Sequence, residues 1–450
     1  MRRLYKNIGI LAGVVPQGVL RKEGAAMDAV GTLTDAWLLA SDGRIEAFGS
    51  AAEGGAPEAS NGGAAVGGAP GASNGGTADV GAPLGSFPDS VPDLGSADSV
   101  VDCEGGMLMP AWCDSHTHIV YAGSREGEFL DKINGLSYEE IASRGGGILN
   151  SADRLHSTSE DELFAQAMER VQEMIAQGTG SMEIKSGYGL NPADELKMLR
   201  VIARIKESTP ALVRSTFLGA HAVGRGYSHS GYVDAVCAMM PEAARLADFV
   251  DVFCERGFFT VEDAARIMEA GARFGLRPKI HANQLAVSGG VQAGVRGGAL
   301  SVDHLEQAGE AEIEALRGTG TMATMLPGSS FFLRLPYGKA REFVDAGLGV
   351  ALASDYNPGS SPSGDMRFVM ALGCIRMRLT PERAFNACTL NSAYAMGVSD
   401  VAGSITAGKR ADLILTLPGW TLTRLAYLHH SPYIRQVYLA GEPVLHTEKA

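Results

Sequence analysis

Apolar positions near the start of the chain fall in short runs separated by turn residues. "NIGILAG", Asn7–Gly13, reads as a first β-strand, and "DAWLLASDGRIEAFGS", Asp35–Ser50, as a hairpin whose apolar runs flank Asp42-Gly43. That dipeptide suits a tight turn because both residues tolerate positive φ. After Ser50 the pattern stops: "GGAPEASNGGAAV" from Gly54 is followed directly by the near-duplicate "GGAPGASNGGTADV" from Gly67. Such a stretch has too few apolar side chains to offset its ordering entropy, which predicts a flexible Gly/Ala/Ser-rich insertion at about 51–98. "SVVDCEGGMLMP", from Ser99, predicts another pair of strands.

From Pro110 onward, short β-rich runs alternate with longer segments. The runs are "HTHIV", "GSMEIKSGYG", "VRSTFLGAH", "DFVDVFCE", "RPKIHANQ", "LSVDHLE", "TMATMLPG" and "GVALASDYNPG". Between them, "EDELFAQAMERVQEMIAQG" and "VEDAARIMEAGARFG" carry apolar residues at helical spacing and close on a glycine suited to a helix C-cap. Eight strands with intervening helices in roughly 250 residues predict an α/β fold of the (β/α)8 barrel type.

Composition narrows the partners. A chain of 450 residues with 45% hydrophobic content can bury a large core plus a smaller second unit. Its net charge of -13 disfavours nucleic acid and anionic membrane surfaces and leaves a small-molecule substrate as the default. The 6 cysteines are scattered without a C-x-x-C pair, which predicts reduced thiols in a cytoplasmic protein. No apolar run is long enough to span a membrane. The basic start "MRRLYKNIGILAGVV" invites comparison with a secretory signal, but Pro16, Gln17 and Arg21-Lys22 follow without a small-residue cleavage site, so a strand is the expectation.

Barrel enzymes build their sites at the C-terminal ends of the strands. His116, His118, Tyr188, His221, His281, His304 and Asp355 are expected there, and they include five of the 10 histidines. In an extended strand His116 and His118 share a face, so two imidazoles can reach one metal ion. His156, His229, His429, His430 and His446 lie in polar or terminal contexts and read as ordinary residues.

The order of these residues, H-T-H after the first strand, single histidines after the fifth and sixth and Asp after the eighth, resembles the amidohydrolase superfamily. Within it, "GSREGEFLDKINGLSYEEIASRGGGIL", "EIKSGYGL", "FLGAHAV", "KIHANQLAVSGG", "SVDHLE" and "SDYNPGSS" together resemble the imidazolonepropionases of histidine breakdown. The resemblance covers nearly the whole chain outside the Gly-rich insertion. It implies a metallo-hydrolase barrel over 110–402 and a small β-sandwich built from 1–109 and 403–450. "GSITAGKRADLILTL" and "YIRQVYLAGEPVL" would supply the closing strands of that sandwich.

The resemblance also implies one zinc or iron ion held by His116, His118, His281 and Asp355. Three imidazole nitrogens and a carboxylate oxygen suit zinc, with an open position for a water whose pKa falls toward roughly 7. Asp355 would accept the proton, and His304 would stabilise the tetrahedral intermediate or protonate the departing nitrogen. Gln284 stands where related nucleobase deaminases have Glu; an amide cannot titrate, so it would orient water or substrate. The implied substrate is 4-imidazolone-5-propionate, opened to N-formimidoyl-L-glutamate. Arg125 would hold the propionate tail, its planar fork suiting a bidentate contact, although its position also allows a pair with Glu126 or Glu128. Tyr188 and His221 would contact the ring, and Asn357, Gly359 and Ser360 the substrate or product. The fourth strand ends "DVFCERG", without the lysine that bridges two metals in dihydroorotase-like enzymes, which favours a single ion. A homodimer is implied by the family. Another single-metal cyclic amidohydrolase or deaminase, and a catalytically silent binding protein, stay open as alternatives.

Overall fold

The computed structural model describes residues 1–50, 97–136, 140 and 146–444. The expected Gly-rich insertion falls almost wholly outside these residues, as does His446. In chain order the first strands are β1 (Arg2–Val14), β2 (Gly31–Ser41), β3 (Arg44–Ser50), β4 (Ser99–Asp102) and β5 (Gly106–Pro110). The central series comprises β6 (Trp112–Thr117), β7 (Thr179–Lys185), β8 (Leu212–Ala220), β9 (Phe249–Cys254), β10 (Arg277–Pro278), β11 (Ile280–Ala282), β12 (Ser301–His304), β13 (Met322–Met325) and β14 (Val350–Leu352). The last are β15 (Leu413–Pro418), β16 (Ile434–Leu439) and β17 (Glu442–Pro443).

Two sheets result. One runs β17-β16-β15-β5-β1-β2-β3, with β4 also beside β1, and so draws on both chain ends. Its β2–β3 hairpin turns at Asp42 and Gly43, whose φ values of 49° and 79° are the left-handed pair that the dipeptide predicts. The other sheet runs β6-β7-β8-β9-β11-β12-β13-β14 with parallel neighbours, and a bridge from Thr117 to Tyr356 joins its last segment to its first. The expected (β/α)8 barrel is what the chain adopts, and where a small β-sandwich was expected from both termini the strands of the two chain ends join in one separate sheet.

The first barrel strand lies earlier than "HTHIV". Its ladder with β7 covers Trp112–Thr117, and His118 falls just past it, where its N–H donates to Tyr356 O at 2.9 Å instead of continuing toward β7. The closing contact with Tyr356 thus diverts the chain, and His118 lies on the rim.

Packing follows the sequence period. Helix Glu160–Ala176 buries Leu163, Ala167, Val171 and Met174, one per turn, and starts where Ser159 accepts the Glu162 N–H. It ends before Gly178, whose φ of 98° a side chain would resist. Each large apolar side chain buried this way contributes roughly 1.5–3 kcal/mol, and truncating Leu163 to Ala would cost about 2–5 kcal/mol. Along β7, Met182 and Ile184 join the apolar layer under the helices, while the alternate residues Glu183 and Lys185 are buried among charged groups. Among the described residues no helix is long and apolar enough to cross a membrane.

Candidate active site

At the C-terminal ends of the strands four side chains converge. His116 and His118 bring their Nε2 atoms within 3.2 Å, and Asp355 Oδ1 lies 3.6 Å from each. The His281 ring sits 4.5 Å from that of His116, centroid to centroid. One ligand atom from each of His116, His118 and His281 lies within 4.8 Å of the others, and so do those of His116, His304 and Asp355. All are buried, and His281 Nε2 has no hydrogen-bond partner. Burial, reinforced by Lys185, pushes the His116 imidazole well below its ordinary pKa; burial, reinforced by His221, does the same to His118. Both shifts favour the neutral ring, the form that binds metals. A buried nitrogen lone pair without a donor is costly, and two such nitrogens 3.2 Å apart beside a carboxylate call for a shared cation. The donor set fits a metal ion.

The backbone is strained where these groups emerge. Leu190, Asn283, His304, Leu305 and Asp355 all have positive φ, between 53° and 88°. Each such position costs on the order of 1–3 kcal/mol and persists where the surroundings over-determine it. Asp355 is held by its N–H, which donates to His116 O at 3.0 Å, tying the eighth-strand ligand to the first-strand one.

A cavity of about 530 Å³ opens above this centre. It is lined by His118, Arg125, Tyr188, His221, His281, Gln284, His304, Asp355, Asn357, Gly359 and Ser360, which is every predicted site residue except His116. His116 lies beneath, fully enclosed.

Individual settings differ from what sequence suggests. Arg125 makes the acidic pair that its position allows: Nε and Nη2 donate to Glu128 Oε2 at 2.9 and 2.6 Å. That edge of the guanidinium is committed to Glu128, and the opposite Nη1 packs on Gly359, where an added Cβ would come within 2.2 Å of it. Glycine at 359 is therefore a requirement of close approach. Asn357 spends its amide inside its own turn, accepting from Gly359 and Ser360 N–H at 2.8 Å and donating to Asp355 O at 2.6 Å. Ser360 Oγ donates to Asp355 Oδ2 at 3.3 Å. His221 donates from Nδ1 to Gly187 O at 2.9 Å and stacks on His118; burial holds it neutral, with its pKa near about 3. His304 is the exception: burial lowers its pKa, but Glu306, 3.3 Å from Nδ1, together with Asp355 and Asp303 outweighs that and the net shift is upward.

Several supporting residues escape sequence reasoning. Glu195 accepts the N–H groups of Gly187, Gly189 and Leu190 at 3.1, 2.7 and 3.1 Å and so fixes the turn carrying Tyr188. Glu255 accepts the Leu285 N–H at 2.9 Å and anchors the segment after Gln284. Lys132 donates to Gly359 O at 2.5 Å and lines the cavity beside Arg125, its pKa lowered by burial to about 8. Glu195 and Lys132 stand among other charged residues in the sequence, so nothing local marks them, and their roles are legible only once burial and partners are known.

The amidohydrolase family pattern matches residues 107–444. The chain is 47% identical to the imidazolonepropionase of Flavobacterium johnsoniae over 98% of its own length and 100% of that protein's. With the imidazolonepropionase of Christiangramia forsetii the identity is 44% over the same shares. The chain belongs to the imidazolonepropionase family of amidohydrolases. Its fold is shared with enzymes far more distant in sequence. An adenosine deaminase from Xanthomonas campestris with bound zinc superposes with a TM-score of 0.65 at 16% identity, covering 98% of this chain and 92% of that one. A 5-methylcytosine deaminase from Klebsiella pneumoniae liganded with phosphonocytosine gives 0.69 at 15%, covering 100% and 99%.

Proposed function

We propose that this imidazolonepropionase-family protein hydrolyses the cyclic amide of 4-imidazolone-5-propionate. Water adds to the ring carbonyl carbon, the bond from that carbon to the ring nitrogen breaks, and the nitrogen takes a proton. The product, N-formimidoyl-L-glutamate, carries a new carboxylate beside the original tail. The observation that carries this reading is one cavity whose lining holds both a metal-type His/Asp cluster and a buried arginine, suited to a substrate that carries a reactive carbonyl and a carboxylate.

A single zinc or iron ion on His116, His118, His281 and Asp355 would supply a Lewis acid and a hydroxide near neutral pH. The protein's own groups do the rest. Asp355, whose carboxyl burial pushes up against the pull of His304 and His281, is suited to take the proton from water and pass it to the departing nitrogen. His304, biased toward its charged form by Glu306, donates to the carbonyl oxygen as negative charge develops there. Gln284 orients water or ring by hydrogen bonding, without titrating. Tyr188 and His221 flank the ring, and Arg125 meets the tail with its charge, its orientation fixed by Glu128. Asn357, Gly359 and Ser360 shape the wall that ring and product touch. In this reading 110–402 forms the catalytic barrel, while 1–109 and 403–450 supply the supporting sheet. The protein acts as a homodimer in the cytoplasm on a small molecule, without nucleic acid or membrane.

The test is turnover. Purified protein loaded with zinc or iron is expected to remove the imidazolone absorbance of the substrate and to release N-formimidoyl-L-glutamate; no loss of absorbance with a fully metal-loaded protein would overturn the assignment.

A further inference from the structure

Beneath the imidazoles, inside the barrel, lies a charge cluster that the scheme above does not use. Glu183 and Lys185 on β7, Asp251 on β9, Lys279 between β10 and β11, and Asp303 on β12 are all fully buried. Lys185 Nζ lies 2.5 Å from Glu183 Oε1, 2.9 Å from Asp251 Oδ2 and 3.6 Å from Asp303 Oδ2. The two aspartates in turn clasp the rings: Asp303 Oδ2 is 2.7 Å from His116 Nδ1, and Asp251 Oδ1 is 3.1 Å from His281 Nδ1. Lys279 is differently placed. It contacts Glu183, donates to Ser115 O at 3.2 Å and stands 3.9 Å from Asp303.

We propose that Lys185 is a positioning residue for the metal centre. Through Asp251 and Asp303 it fixes the Nδ1–H tautomer and the ring orientation of His281 and His116 together. The physical case has three steps. An imidazole that donates Nδ1–H to a carboxylate must present its Nε2 lone pair on the opposite side, and the carboxylate makes that lone pair more basic. A carboxylate with no ammonium beside it is free to turn its oxygens to other donors, in which case the ring it faces loses its fixed acceptor and its orientation is no longer specified. Lys185 is the ammonium that reaches both aspartates within 3.6 Å, so one side chain on the second barrel strand governs ligands on the first and the fifth. Two features of the site agree: of the two His281 ring nitrogens Nε2 is the one without a partner, and His116 Nε2 is the atom 3.2 Å from its counterpart on His118.

This inference rests on the reading that His116 and His281 bind the metal, and the test separates the two. The probe is Zn²⁺, its affinity measured by competition with a chromophoric chelator. Lys185→Met combined with Glu183→Gln removes one positive and one negative charge and keeps side-chain volumes close, so net charge in the barrel is unchanged. That variant should fold, as judged by circular dichroism and melting temperature, and bind zinc about 10–100-fold more weakly than wild type. In histidine-labelled, metal-free wild type, ¹⁵N shifts should report Nδ1–H on both His116 and His281, and in the variant both rings should gain the Nε2–H form. A folded double variant with zinc affinity within twofold of wild type overturns the role of Lys185. So does an Nε2–H tautomer for either ring in the metal-free wild type, a result that needs no variant to fold. His281→Ala serves as the control: if it too keeps wild-type zinc affinity, the ligand reading itself has failed, whereas zinc loss in His281→Ala alone refutes only the positioning role.

Discussion

Replacing Arg125 by alanine removes two things at once, and the structure allows them to be weighed. The first is the pair with Glu128. That carboxylate keeps the Gly147 N–H at 2.9 Å on its other oxygen, so it is left half-satisfied. Losing one partner of a buried group costs roughly 1–3 kcal/mol of stability, which appears as a lower melting temperature. The second is the tail. A substrate carboxylate enclosed in the cavity without its cation loses on the order of 2–5 kcal/mol of transition-state binding, or roughly 30- to 5,000-fold in kcat/KM at about 1.4 kcal/mol per decade. A cycle of wild type and Arg125→Ala against imidazolonepropionate and a tailless imidazolone isolates the second term, because the tailless compound has nothing for the guanidinium to hold. Arg125→Ala with Glu128→Gln should recover much of the melting temperature, since the stranded charge is gone, yet recover none of the tail discrimination. Arg125→Lys should recover part of it, by charge without the fork. Equal losses on tailed and tailless substrates would assign Arg125 to structure alone and remove the physical support for a propionate-bearing substrate.

His281→Ala should lose both metal content and turnover while the barrel, packed by its own apolar layer, still folds; near-normal metal content by elemental analysis would contradict the ligand set. Glu195→Gln puts an amide NH₂ against backbone N–H groups of the turn bearing Tyr188, and kcat/KM should fall about tenfold with a cost of roughly 1–3 kcal/mol in stability; unchanged kinetics would show that the turn holds itself. Burial pushes the carboxyls of Asp114 and Glu195 up to about 7 from ordinary values of 3.8 and 4.5. The folded chain therefore keeps protons that the unfolded chain releases, so the stability they contribute is full at acid pH and falls as pH rises through about 7. Urea midpoints across this range should decline, less steeply in Glu195→Gln, and parallel slopes would refute the assignment.

The shared face of the first two histidines was legible because it rests on a local period, whereas the roles expected of the other strand-end residues came from the family resemblance. Alternation in an extended segment puts His116 and His118 on one face, and their Nε2 atoms indeed meet at 3.2 Å. The Asp42-Gly43 turn was readable for the same reason, since two residues set it. The buried lattice was not. Glu183 and Lys185 look like the polar face of a half-exposed strand until closure of the barrel turns that face inward, and Lys185 meets Asp251 from 66 residues away. Register across parallel strands decides such contacts, and no local pattern encodes it. His118 and Asp355 lie beyond their strands because the closing bridge to Tyr356 bends both segments, again a long-range effect. The Arg125–Glu128 pair lies three residues apart, so spacing allowed it beside a pair with Glu126 without choosing between them, while the family resemblance put the same guanidinium at the substrate, and it lines the cavity.

The central claim is that water opens the ring at its carbonyl carbon. Its most direct measurement is turnover of 4-imidazolone-5-propionate by metal-loaded protein in ¹⁸O-water, with products read by mass spectrometry. The account predicts N-formimidoyl-L-glutamate carrying one ¹⁸O in its new carboxylate and no free ammonia. Release of ammonia, label elsewhere, or intact substrate after many equivalents of enzyme time would contradict it.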